Sequence, residues 1–206
     1  MNICVFASGT GSNFKTILSS VKSNYLNSTI PLLITNISNC AAAEIATANG
    51  IEISHISRKL FHDEPEKSYS LRFTKVLEDM KIDFIVLAGY MQKIPDDILN
   101  KYRERIINIH PALLPSFGGK GMYGINVHKA VISSGVRVSG ITIHFVNEVY
   151  DEGKIIFQHC CEVCFDDDEF SLQKKIKDLE HKFYPVIIKK FEEGKVNIVN
   201  GKVKVI

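Results

Sequence analysis

Apolar residues along this chain fall into short continuous runs that alternate with segments of helical periodicity. The runs NICVFA (2–7), IPLLIT (30–35), Ile51 to Ile56 and IDFIVLA (82–88) each read as a strand that is apolar on both faces. Helices are predicted between them at 13–25, at the alanine-rich stretch 40–49 and at 66–80. A short helix after Pro95 then leads into a fifth strand at 105–110. Such strands, separated by helices, imply a parallel sheet covered on both sides and joined by right-handed crossovers. The second half changes character. Residues 111–125 form a loop rich in glycine and proline, followed by a predicted helix at 126–134 and long strands at 138–146 and 154–165. The connection from Asn147 to Gly153 is hairpin-like, so the pairing expected here is antiparallel or mixed. A long amphipathic helix spans 169–193, and VNIVNGKVKVI ends the chain as a hairpin around Asn200-Gly201. The expected organisation is one α/β domain over 1–206, with a parallel half at 1–110 that binds phosphate and a mixed-sheet half at 111–206.

Composition narrows the function classes. The chain has 206 residues, 45% hydrophobic and 23% charged, with a net charge of +2. That near-neutral balance gives no electrostatic case for a nucleic acid or an anionic membrane surface as partner. No apolar run approaches the roughly 20 residues of a membrane helix. The start, MNICVFASGTGSN, runs straight into a strand and a glycine turn without the marks of a secretory signal, so a cytoplasmic protein is expected. Five cysteines, an odd number, argue against a disulfide framework. The cluster His159-Cys-Cys-Glu-Val-Cys164 invites a zinc reading. Strand alternation, however, sends Cys160 and Cys164 to one face and His159 and Cys161 to the other, and a second ligand pair is missing. Buried strand cysteines and no metal are expected.

Four segments carry candidate chemistry. Asn108 and His110 lie two apart in the fifth strand, so their side chains point the same way, and Pro111 places them at its open end. An amide donor beside an imidazole suits oxyanion stabilisation and proton transfer; satisfying backbone groups at a strand end is the plainer alternative. Ala7-Ser-Gly-Thr-Gly-Ser-Asn-Phe14 joins the first strand to the first helix, where unsatisfied amides and the helix dipole attract an anion. Phe14 stands where a dinucleotide fingerprint needs its third glycine, so one phosphate fits better than a pyrophosphate; a plain turn with Ser12 as N-cap is the alternative. Leu87 to Pro95 ends the fourth strand, where Met91 and Ile94 suit the walls of an apolar slot or simple packing under a loop. In His144 to Gly153, Asp151 sits in a tight turn from which it could orient an imidazole, although aspartate before a turn glycine is common.

Taken in order, SGTGSN (8–13), LAGYM (87–91), NIHPALLPSF (108–117), ITIHFV (141–146), YDEG (150–153) and LEHKFYPVII (179–188) resemble the folate-dependent formyltransferases over nearly the whole chain. The glycine loop and the LEH segment point to the glycinamide ribonucleotide branch of that family. The resemblance implies a Rossmann-like three-layer fold and formyl transfer from 10-formyltetrahydrofolate to the amine of glycinamide ribonucleotide in purine biosynthesis, without a metal. It implies Asn108, His110 and Asp151 as catalytic residues, with Asn108 and a protonated His110 donating to the oxyanion and Asp151 raising the pKa of His110. It further implies Gly11, Ser12 and Asn13 for the substrate phosphate, Glu180 near the ribose and glycinamide, and Met91, Gln92, Lys93 and Ile94, with Asn108, along the folate. Small-molecule partners and a monomer or weak homodimer complete the expectation. The chain departs from many relatives in having Met91-Gln-Lys-Ile94 for Met-Arg-Ile-Leu, and in residues 59–68. Lys93, Arg58 and Lys67 therefore stay open as partners of the folate glutamate tail. The insert GGKGMYG (118–124) brings Lys120, read as a solvated lysine with phosphate binding as the alternative. Within the family, a transfer-RNA formyltransferase would need a basic extension, and a formyltetrahydrofolate hydrolase usually carries a regulatory domain before the first strand. A non-catalytic nucleotide-binding module is the rival outside enzymes.

Overall fold

A computed structural model describes all residues from Met1 to Ile206. Contacts divide the chain into two compact units, Met1–Ile107 and Asn108–Ile206. The first unit holds β1 (Asn2–Phe6), α1 (Ser12–Lys22), β2 (Thr29–Thr35), α2 (Ala41–Ala48), β3 (Glu52–His55), α3 (Glu66–Asp79), β4 (Phe84–Leu87) and α4 (Asp96–Lys101). β5 (Ile106–His110) begins in it and ends in the second unit, which continues with α5 (Ile125–Ser134), β6 (Val138–Phe145), β7 (Ile155–Glu162), α6 (Glu169–Glu192), β8 (Val196–Val199) and β9 (Lys202–Val205). The strand order is β3-β2-β1-β4-β5-β6-β7, with β8 and β9 as a separate pair.

In the first unit β2, β1 and β4 pair in parallel, as do β2 and β3. The continuous apolar runs are the cause. Ile3, Cys4, Val5 and Phe6 of β1 and Ile85 and Val86 of β4 are all fully buried, which requires cover on both faces. α1 ends three residues earlier than its apolar pattern predicts. The chain turns back through Ser23 and Asn24 (φ 58), and the Leu26 N–H donates to the Ser20 carbonyl, so Leu26 is buried by a turn instead of a further helical turn.

In the second unit β6 and β7 pair antiparallel, with a register shift between Ile143 and His144. β7 lies at the edge of the sheet and alternates between exposed and part-buried positions along most of its length. That overturns the expectation of buried strand cysteines: Cys160 and Cys164 are exposed and Cys161 is half-buried, while Cys4 and Cys40 are buried. β7 also stops at Glu162, so Cys164 lies beyond the strand. α6 opens with a capping box in which Asp168 accepts from the Phe170 and Ser171 N–H groups. It runs unbroken through Pro185, because Leu172, Ile176, Tyr184, Ile187 and Ile188 bury one face strongly enough to offset a helix-interior proline, at about 3 kcal/mol.

Candidate active site

The second unit places Asn108 and His110 at the end of β5, where the strand stops before Pro111. Their side chains enter one polar cluster with His144 and Asp151. His110 Nδ1 lies 3.5 Å from Asp151 Oδ2, and His144 Nε2 lies 3.6 Å from Asp151 Oδ1. Asn108 Nδ2 is 3.2 Å from His144 Nε2, and the Gly119 N–H donates to Asp151 Oδ2 at 2.9 Å. Asp151 thus sits in the turn and also within reach of both imidazoles. Asp151 adopts a left-handed turn conformation (φ 58), which aspartate tolerates, and from there its carboxylate faces both imidazoles.

The loop after β5 is fastened to the sheet by side chains of the hairpin. Thr142 Oγ1 donates to the Ala112 carbonyl at 2.7 Å and accepts from the Leu114 N–H at 3.0 Å. Gln158 Nε2 donates to the Leu114 carbonyl at 2.9 Å. Gly118 passes so close to the site that a Cβ there would stand 2.5 Å from Leu114 Cδ2 and 3.2 Å from Asp151 Cβ. Phe117 takes a left-handed conformation (φ 56), and its carbonyl accepts from His110 Nε2–H at 2.8 Å. His110 thus has an acceptor on each side, and only the ring protonated on both nitrogens satisfies both. His144 Nδ1–H donates to the Phe145 carbonyl at 2.8 Å, and Asn108 Nδ2–H donates to His144 Nε2 at 3.2 Å. An amide nitrogen carries two hydrogens, so Asn108 keeps one for a ligand oxygen.

Burial and charge compete here. Burial is the largest influence on His110 and lowers its pKa, while Asp151 and the Phe117 carbonyl pull it upward without restoring it. The expected direction from Asp151 is present, but desolvation of a ring only 3% exposed outweighs it. For Asp151, burial works to raise the pKa, yet the neighbouring His144 and His110 rings and the Gly119 N–H together leave it below the usual carboxylate value. His144 was missing from the catalytic set read from the sequence. Its signal was its place within ITIHFV, near the end of β6, the strand that follows Asn108's β5 in chain order. A further histidine, His128 of α5, is buried with Nδ1 unpartnered, and burial lowers its pKa to about 4. Glu180 is buried on α6.

In the first unit Gly11, not Ser12, caps α1. Gly11 is left-handed (φ 68), a Cβ on it would stand 2.9 Å from Ala42 Cα, and no side chain caps the helix. Ser12 and Asn13 are its first helical residues, and the N–H groups of this first turn are what an anion would meet. In the 91–94 segment Met91 is exposed and Ile94 buried. Gln92 Oε1 accepts from Tyr69 Oη–H at 3.2 Å and from the Arg58 N–H at 3.5 Å, and Lys93 pairs with Asp96 at 3.1 Å. The Arg58 guanidinium lies over the Tyr69 ring and 3.4 Å from Glu66. No group of three or more histidine, cysteine, aspartate or glutamate side chains in the chain could hold a metal ion.

A family model described as "Formyl transferase" matches residues 1–188. The chloroplastic phosphoribosylglycinamide formyltransferase of Arabidopsis thaliana is 44% identical over 187 residues, covering 90% of this chain and 63% of that protein. The chain thus spans less than two thirds of the length of that relative. Among solved structures, glycinamide ribonucleotide transformylase 1 from Symbiobacterium toebii is similar with a TM-score of 0.91 at 29% identity, over 100% of this chain and 94% of the other. Phosphoribosylglycinamide formyltransferase from Bacillus halodurans is similar with a TM-score of 0.85 at 34% identity, over 93% and 95%. This chain belongs to the formyl transferase family, and within it resembles the phosphoribosylglycinamide formyltransferases.

Proposed function

We propose that this chain transfers the formyl group of 10-formyltetrahydrofolate to the primary amine of glycinamide ribonucleotide, giving formylglycinamide ribonucleotide and tetrahydrofolate in purine biosynthesis. The observation that carries the reading is the cluster of Asn108, His110, His144 and Asp151, two of them buried and two half-buried, in a chain matched by the formyl transferase model over 1–188. The amine attacks the formyl carbon and the carbonyl oxygen becomes an oxyanion. The spare Asn108 N–H and His110 Nε2–H are the donors for it, the substrate oxygen taking the place that the Phe117 carbonyl holds here. The attacking nitrogen becomes positive as its bond to the formyl carbon forms, and its surplus proton passes through solvent water to His110; growth of negative charge beside the ring offsets its burial, with Asp151 balancing the charge at Nδ1. Collapse of the intermediate returns a proton to the leaving folate nitrogen. His144 holds Asn108 and Asp151 in register. Gly11, Ser12 and Asn13 take the substrate phosphate, and the 91–94 segment lines the folate.

The test is absorbance of folate product with 10-formyltetrahydrofolate present, with and without glycinamide ribonucleotide. Product formation that needs the ribonucleotide supports the transfer. Formate release at the same rate without it identifies a hydrolase, and binding without turnover identifies a non-catalytic module.

A further inference from the structure

In the first unit one buried hydroxyl stands between the two segments to which the proposed function assigns different substrates. Ser8 follows the carboxyl end of β1 and is 4% exposed. Its N–H donates to the Gly89 carbonyl at 3.1 Å, its Oγ donates to Asn36 Oδ1, and its Oγ accepts from the Met91 N–H at 3.3 Å. Asn36 follows β2, and Gly89 and Met91 follow β4. Ser8 therefore ties together the carboxyl ends of three neighbouring strands. The order β2-β1-β4 also makes the β1/β4 boundary the point where the chain switches direction across the sheet, the place where open α/β sheets hold ligands. Three residues beyond Ser8 comes the left-handed Gly11 that opens α1, and Met91 begins the 91–94 segment. The turn is fixed on its far side as well, where the Ala42 N–H donates to the Gly9 carbonyl at 3.2 Å.

We propose that Ser8 is a positioning residue that couples the 11–13 turn to the 91–94 segment, so that an anion seated on the first orders the backbone of the second. The hydroxyl has a single hydrogen, which Asn36 takes, and its lone pairs receive Met91. Alanine at this position leaves the Met91 N–H and Asn36 Oδ1 without that partner, and joins the two segments only through the Ser8 backbone bond to Gly89. Threonine keeps the oxygen. The inference rests on the formyl-transfer reading for the identity of the two ligands, but the coupling itself is read without turnover.

The experiment measures amide exchange at Met91 in the full chain, with and without ribose 5-phosphate as the phosphomonoester probe, for the natural protein, Ser8→Ala and Ser8→Thr. The Michaelis constants for both substrates are measured alongside. Ribose 5-phosphate slows exchange at Met91 several-fold in the natural protein and in Ser8→Thr, and leaves it unchanged in Ser8→Ala. Ser8→Ala raises both Michaelis constants about five- to tenfold, the effect of losing the bond that holds Met91, with kcat within about twofold. The coupling is overturned if the probe fails to slow Met91 in the natural protein, slows it equally in Ser8→Ala, or if only one Michaelis constant rises. Should Ser8→Ala not fold, Asn36→Ala removes the acceptor that orients the hydroxyl and is read by the same exchange. Probe-dependent slowing without ribonucleotide-dependent turnover overturns the formyl-transfer reading and leaves the coupling standing.

Discussion

Asp151→Asn removes one charge and almost no volume from the centre of the cluster. The carboxylate oxygen lies 3.5 Å from His110 Nδ1. At an effective dielectric of about 20, an ion pair at that distance is worth about 5 kcal/mol, and it favours the charged imidazole. Burial already holds the His110 pKa below its ordinary value, so no reserve replaces that support. Asparagine still accepts from the Gly119 N–H through its oxygen, and the loop therefore keeps its anchor. The imidazolium needed beside the oxyanion becomes about a thousandfold rarer or more, and kcat falls by that factor. The Michaelis constants stay within about threefold, because the 11–13 and 91–94 segments are untouched. Steady-state kinetics of folate release give both numbers, and NMR titration of the His110 ring gives the shift directly. Turnover within about threefold of the natural protein would refute the reasoning, as would a fall in kcat with no drop in the His110 pKa.

Asn108→Ala deletes the other oxyanion donor and lowers kcat about a hundred- to a thousandfold with little change in substrate binding, measured by the same kinetics. Gly118→Ala drives a methyl into Leu114 and toward Asp151, displacing the carboxylate; kcat is expected to fall at least tenfold and the stability measured in urea to drop by about 1–3 kcal/mol, as for an overpacked contact. His128 has a folded pKa of about 4, below the ordinary 6.5, so the unfolded chain takes its proton first as pH falls. Its contribution is complete above about pH 6.5 and drains away as the pH falls toward 4, a loss of about 3 kcal/mol. His128→Gln therefore shrinks the difference between urea stabilities at pH 7 and pH 4.5 by about 2 kcal/mol.

The strands were readable because burial on both faces leaves a signature that needs no partner to be recognised, as in Ile3 to Phe6 and Phe84 to Leu87. Asn108 and His110 were readable for a local reason too, since spacing and Pro111 fix their direction. Elsewhere the deciding forces are not local. Whether β7 is covered depends on its being the last strand, which the apolar letters of IIFQHCC do not encode. Gly11 instead of Ser12 caps α1 because the turn must pass against Ala42, a contact 31 residues away in sequence. His144 joins the site through cross-strand register, and the balance at His110 turns on how much water the loop at Phe117 and Gly118 excludes. The charge of Asp151 was visible in the sequence, whereas the desolvation that opposes it was not.

The central claim is that the cluster around Asp151 delivers a formyl group to an amine and not to water. Incubation with 10-formyltetrahydrofolate carrying a carbon-13 formyl group, with glycinamide ribonucleotide present, follows that carbon directly by NMR. The account predicts that the label appears as the formamide of the ribonucleotide in step with tetrahydrofolate release. Label recovered as free formate, whether or not the ribonucleotide is present, would contradict it.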